Sequence, residues 1–239
     1  MILRRVIFLL IVSTVAVLTA RQAEAQWYAG AYLGANHTRS ASVTIDQPEL
    51  GRSFTFEDVD FDGRPFESPQ YYGWRLGRLF GQSRTFGIEL EFIHLKVIGR
   101  TDRAYPVSGL DTSDGGALVM NTVVQRYAMT HGLNFALINM VVRTPVRGPV
   151  TLVWRAGAGP TLPHAETTID GHIREQYEYG GPGAHLSAGL DIRTWRFVST
   201  TAEYKFTIAR PRIDVASGTG VTTSASHQLA VGLAFDLSR

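Results

Sequence analysis

Histidines beside carboxylates, and one short acidic run, are the side chains of this sequence that could do chemistry. His94 stands close to Glu91 and Lys96, and His131 is a further candidate for the same set. Neutral imidazole is a common metal ligand and a general base near pH 7, so beside a carboxylate and an ammonium it could grip a divalent ion or a phosphate. The plainer account is that imidazole, like Tyr and Trp, is amphipathic and suits an interface. His185-Leu186-Ser187 sets an imidazole and a hydroxyl two places apart, on the same side of any strand. They form a base and a nucleophile if a carboxylate orients the histidine, or two polar residues held in hydrogen bonds. Asp58, Asp60 and Asp62, followed by Gly63, match the start of a calcium loop, but the twelfth place is Pro69, which has no carboxylate. The favoured reading is a hairpin extension, with Asp62-Gly63 as a tight turn between Phe54–Phe61 and Arg64–Phe66. No phosphate-cradling glycine loop or dinucleotide fingerprint occurs, and no pattern identifies a cofactor.

The elements that would position these residues are strands. Eight segments alternate with period two, apolar on one face and small or polar on the other. Trp27, Ala29, Ala31 and Leu33 oppose Tyr28, Gly30, Tyr32 and Gly34; Tyr72, Trp74 and Leu76 oppose Gly73, Arg75 and Gly77; Ile88, Leu90 and Phe92 oppose Gly87, Glu89 and Glu91. A fourth segment, 130–142, is apolar on both faces and its phase is ambiguous. Leu152, Trp154, Ala156 and Ala158 oppose Val153, Arg155, Gly157 and Gly159 in the fifth. The sixth, 183–193, is the clearest, and the seventh (198–207) and eighth (228–237) follow the same rule. One face thus collects Arg75, Glu89, Glu91, Arg155, Asp191, Arg193, Glu203 and Lys205, with signs mixed. Charges enclosed together must pair, because one left alone out of water costs several kcal/mol.

A soluble sandwich would show the same alternation with its apolar face inward. The connections separate the two. Short links fall at 81–85, 144–149 and 194–196, and long ones at 39–69, 98–128, 165–179 and 209–225, in strict alternation. That is the layout of a membrane barrel, with short turns at one end and long loops at the other. Residues 1–25 read as a secretory signal peptide: Arg4-Arg5, an apolar core from Val6 to Leu18, and Ala23-Glu24-Ala25 as a small-x-small cleavage site. The expected protein is therefore all-β: an eight-stranded antiparallel up-and-down transmembrane β-barrel formed by residues 26–239, monomeric, in the cell outer membrane. His37, His94, His131, His164 and His227 then fall at the long-loop ends of their strands, with His185 slightly deeper. The chain has no cysteine, which removes disulfides and thiolate chemistry. Its 23 basic and 21 acidic side chains become 20 and 20 once Arg4, Arg5, Arg21 and Glu24 leave with the signal. A neutral mature chain has no general attraction to nucleic acid, so the expected partners are outer-membrane lipid and lipopolysaccharide.

Taken together, the signal, the alternating strands, the one-sided long loops and the C-terminal amphipathic strand resemble the Gram-negative outer-membrane β-barrel domain family of OmpA/OmpX-type small barrels, over the whole mature chain. Tyr71–Gly77, Gly87–Val97, Gly132–Asn134, Gly157–Gly159 and Glu203–Lys205 also resemble lipid A oxidase-like barrels. The first resemblance implies an integral outer-membrane protein with a plugged, charged interior and extracellular loops for envelope or surface interaction. The second implies a lipid A-modifying enzyme at the outer leaflet, an oxidase or, through an H-x-S pair of the kind that lipid A 3-O-deacylase barrels use, a deacylase. A deacylating pair must face the lipid, whereas the alternation turns His185 and Ser187 inward. A small porin-like pore is the third alternative. These families usually end in an aromatic residue, whereas this chain ends Phe235-Asp236-Leu237-Ser238-Arg239.

Overall fold

In a computed structural model the chain is described over residues 26–111 and 116–237, so the signal peptide expected at 1–25 lies outside the described residues. Eight long strands form the wall: β1 (Gln26–Thr38), β2 (Tyr72–Phe80), β3 (Phe86–Gly99), β4 (Val124–Arg147), β5 (Val150–Ile169), β6 (Gly181–Arg193), β7 (Val198–Ala209) and β8 (Ser224–Asp236). Each pairs antiparallel with the next. β8 returns to β1 in continuous register from Tyr28↔Asp236 to Thr38↔Ser226, which closes the ring and leaves no sheet edge. The links are short at 81–85, 148–149 and 194–197 and long at 39–71, 100–123, 170–180 and 210–223.

The faces of this ring are inverted relative to a soluble sandwich. Leu186 (62% exposed), Leu190 (40%), Val231 (62%) and Phe235 (36%) point outward, while Arg155 (5%) and Glu203 (6%) are enclosed. No aqueous protein gains by exposing its leucines and burying its arginines, since the hydrophobic term alone is worth about 25 cal/mol per Å². The outer face is matched to hydrocarbon, and the chain is a transmembrane barrel. On β3 the outward row runs from Phe86 to His94, in line with the roughly 9–11 residues of a tilted crossing. Exposed Trp27, Phe80, Phe86 and Phe197 ring the short-turn end of the belt, as aromatic girdles do.

Inside, small residues let large ones lie flat across the lumen. A Cβ on Gly73 would sit 2.1 Å from the Tyr32 hydroxyl, and one on Gly77 would sit 2.3 Å from the Tyr28 ring. Glycine on the inner face is thus the space that two tyrosines occupy.

The long loops are folded rather than open. Arg212–Val215, Gly218–Thr222, Ala41–Gln47, Arg52–Val59, Ala104–Ser108 and Ala117–Val119 make a second, six-stranded sheet from the first, second and fourth long connections. Val43, Ile45, Phe54 and Phe56 from this sheet join one buried cluster with Ile93, Leu95, Leu133 and Phe135 of β3 and β4. The hydrophobic core therefore sits at the long-loop end of the barrel. β4 and β5 themselves stay paired out to Val124 and Ile169, beyond the belt, and His172–Tyr177 of the third connection pairs with the end of β5.

The first connection corrects the hairpin expected around Asp62-Gly63. The turn lies instead at Pro48–Leu50 with Gly51 at φ 64°, a left-handed conformation that glycine adopts without strain. Ala41–Gln47 pairs with Arg52–Val59, burying Val43, Ile45, Phe54 and Phe56 together, and Phe61-Asp62 pairs with Ile98 and Gly99 of β3. Burial of four large apolar side chains on one face fixes this register.

Candidate functional site

The inner faces of β2, β3, β5 and β7 bring six of the expected interior charges to one level. Glu89, Glu91 and Glu203 meet Arg75, Arg155 and Lys205, three carboxylates against three cations. Lys205 Nζ lies 2.6 Å from Glu91 Oε1 and 3.1 Å from Glu203 Oε1. Arg75 bridges Glu203 at 2.8 Å and Glu91 at 3.2 Å, and Arg155 Nε lies 3.2 Å from Glu89 Oε1. These side chains are at most 4% exposed, so their charges are balanced within the lumen rather than by water.

Neutral residues complete the set. Tyr28 donates to Glu89 and Tyr32 to Glu91, each at 2.8 Å. Asn139 donates through Nδ2 to Glu89 (2.9 Å) and Glu91 (2.8 Å), which orients its carbonyl oxygen toward His185 Nε2 at 2.8 Å. An amide that donates twice can only accept with its oxygen, so His185 carries its proton on Nε2. The signal for the tyrosines was present in the sequence: Tyr28 and Tyr32 fall on the same face of the first strand as its glycines. Asn139 lay in the segment whose phase was ambiguous.

The remaining expected residues are elsewhere. Asp191 pairs with Arg143 at 3.3 Å, and Arg193 donates to the Arg196 carbonyl at 3.1 Å, both at the short-turn end. Ser187 is buried on the inner face of β6 with His185, and Leu186 between them points outward to lipid. His94, Glu91 and Lys96 do not converge. Glu91 belongs to the lumen set, Lys96 donates to the Glu67 carbonyl at 2.9 Å, and His94 stacks on Tyr72 at 4.8 Å and bonds Asn134 at 2.9 Å. His131 lies 3.3 Å from Glu166, apart from that trio.

Asp58, Asp60 and Asp62 are not gathered into a ligand set. Asp60 accepts from Ser40 at 2.7 Å and pairs with Arg103 at 2.5 Å, while Asp62 faces Arg100 at 3.3 Å. The Ser40 hydroxyl, then Arg103 and Arg100, hold the Asp60 carboxyl below the usual carboxylate range. At Glu166 burial opposes ionisation, but the Thr130 hydroxyl and Arg126 outweigh it and bring the carboxyl down to about 2.

No protein-family model matches the chain, and no curated protein matches it. Among solved structures, Neisserial surface protein A aligns with a TM-score of 0.40 at 11% identity, covering 90% of this chain and 97% of that one. Ail, the attachment invasion locus protein of Yersinia pestis, gives 0.34 at 12% identity, with 88% and 97% covered. The outer membrane protease OmpT from Escherichia coli gives 0.45 at 8% identity, with 89% and 97% covered. It is the barrel's own two faces, not these likenesses, that assign it to a membrane.

Proposed function

We propose that this outer-membrane β-barrel protein is a monomeric, non-conducting anchor that holds a folded head at the outer surface, for contact with lipopolysaccharide and other envelope or surface components. The observation that carries this reading is the double closure of the lumen. A balanced layer of six charges fills its middle, and above it lumen-facing Ile93, Leu95, Leu133 and Phe135 are fully buried under the loop sheet. An eight-stranded interior is just wide enough for side chains to fill, which leaves no aqueous path.

The rim supports a partner with phosphates. His37 and His227 face outward one step past Ala35 and Leu229, level with Phe206, while Arg39 and Arg210 lie one step further out, beside and just past Ile208. Arg39 and Arg210 are exposed and have no carboxylate partner among the described residues. Cations at that height meet anionic headgroups, and guanidinium binds phosphate bidentately. The lipid A-modifying alternative draws no support from His185 and Ser187, whose inward position keeps them from an ester in the leaflet.

Purified protein in a planar bilayer tests the reading. The expected trace has no conductance steps above the bare membrane, and stable ohmic steps would contradict a closed lumen. Lipid A from cells with and without the gene should have the same mass; a shift of one oxygen or one acyl chain would favour the enzyme.

A further inference from the structure

The site with the strongest unmet chemistry lies outside the lumen, where β4 and β5 run past the belt. β4 advances four residues from Met129 to Leu133 while β3 advances two from Val97 to Leu95, so Thr130, His131 and Gly132 bulge from the ladder. Gly132 permits this at φ 100°, a conformation open to glycine and rare for other residues. The bulge turns His131 toward β5. One nitrogen each from His131 and His164 and one oxygen each from Glu166 and Glu175 all lie within 4.8 Å of one another.

The hydrogen-bonding pattern around His164 is unsatisfied. Its residue is 9% exposed, and its Nδ1 is buried with no hydrogen-bond partner although Glu166 Oε1 is 3.4 Å away. The other ring nitrogen, Nε2, faces Glu175 Oε1 at 3.7 Å. A neutral imidazole carries one proton, so in either tautomer one of its nitrogens aims a lone pair at a carboxylate oxygen, two acceptors with no proton between them. A cation placed there relieves this. Arg126 takes the second Glu166 oxygen, the Thr130 hydroxyl and amide donate to Oε1 and hold it beside both imidazoles, and His131 Nδ1 lies 3.3 Å from Oε1. Bonds of about 2.1 Å in a tetrahedron give ligand edges of about 3.4 Å, close to both separations.

We propose that His131, His164 and Glu166, with Glu175 behind His164, form a divalent metal site of the zinc class. Two imidazoles and a carboxylate are a donor set that suits zinc over calcium or magnesium. A carboxylate on the far nitrogen of a ligating histidine is the usual outer partner that fixes its tautomer. The site joins β4, β5 and the strand His172–Tyr177, so the ion ties the third connection to the barrel wall. It is independent of the reading of the lumen and head given above.

Zinc chloride titrated calorimetrically into the chelator-stripped, detergent-purified full chain tests this, with cobalt chloride as a spectroscopic probe. The expected result is one saturable site per chain and a visible cobalt band of tetrahedral intensity. His131→Ala and Glu166→Gln should abolish both, Glu175→Gln should weaken zinc by about 10–100-fold, and His172→Ala on the same hairpin should change neither. Heat-dependent gel mobility identifies folded variants, and His131, more than half exposed, can be truncated without opening the core. No saturable zinc binding by the wild-type chain would overturn the proposal. So would binding undiminished in His131→Ala, or lost equally in His172→Ala.

Discussion

Glu91→Ala is expected to destabilise the barrel by about 3–5 kcal/mol, the cost of leaving a buried cation without its partner. Glu91 is the most connected side chain in the lumen. It accepts from Tyr32, Asn139 and Lys205, and lies 3.2 Å from Arg75 and 3.4 Å from His185. Its removal leaves three cations facing two carboxylates where water cannot reach them. Urea unfolding in detergent, followed by tryptophan fluorescence, measures the loss. Glu67→Ala is the matched control, because the Arg64–Glu67 pair is 51% and 64% exposed and such pairs contribute about 0–1 kcal/mol. Adding Lys205→Met to Glu91→Gln restores a balance of two and two, so the pair should be less destabilised than the sum of its singles by about 1 kcal/mol or more. Equal, small effects for Glu91→Ala and Glu67→Ala would mean that the lumen is wet.

The second large effect is on the opposite face. Val231→Arg places a guanidinium on the outer side of β8, between the outward residues Leu229 and Leu233. In a bilayer this should cost about 2–4 kcal/mol, falling toward zero for positions nearer the interface. Ile173→Arg, on the hairpin strand past the belt and 77% exposed, meets water and should shift stability by less than about 0.5 kcal/mol. Refolding into phosphatidylcholine vesicles under urea distinguishes them. Similar costs at the two positions would remove the difference between lipid and water that the fold requires.

What could be read from the sequence follows from what is local. On β5, β6 and β7 one face is mostly apolar and the other small or polar, so period two gave the phase, and Arg155, Glu203 and Lys205 could be assigned to the inside from alternation alone. β4 resisted because its long-loop half is buried on both sides: Met129, Leu133 and Phe135 turn toward the apolar core, while Ala128 and Asn134 are covered as well. The bulge at Gly132 also interrupts its register. The loop sheet was hidden for a different reason. Val43 and Thr222 pair across most of the chain, as do Phe56 and Val107 across a shorter stretch, and a periodic signal says nothing about which distant segment completes a ladder. The acidic run at Asp58–Asp62 matched a calcium loop in spacing alone, and spacing cannot reveal that Ser40, Arg100 and Arg103 face the oxygens of Asp60 and Asp62. The cluster of His131, His164, Glu166 and Glu175 depends on a bulge and a hairpin together, neither of which leaves a motif.

Nitroxide accessibility along β6 and β8 tests the central claim most directly, and the absence of native cysteine makes single-site labelling clean. Spin labels introduced through Leu186→Cys, Leu190→Cys, Val231→Cys and Leu233→Cys in vesicles should relax strongly with oxygen and weakly with a water-soluble nickel chelate. A label through Ser187→Cys, between two of them in sequence, should be shielded from both. High nickel accessibility at Val231 and Leu186, or tight immobilisation of all four outward labels, would show that these side chains meet water or a protein core, and the membrane barrel would be contradicted.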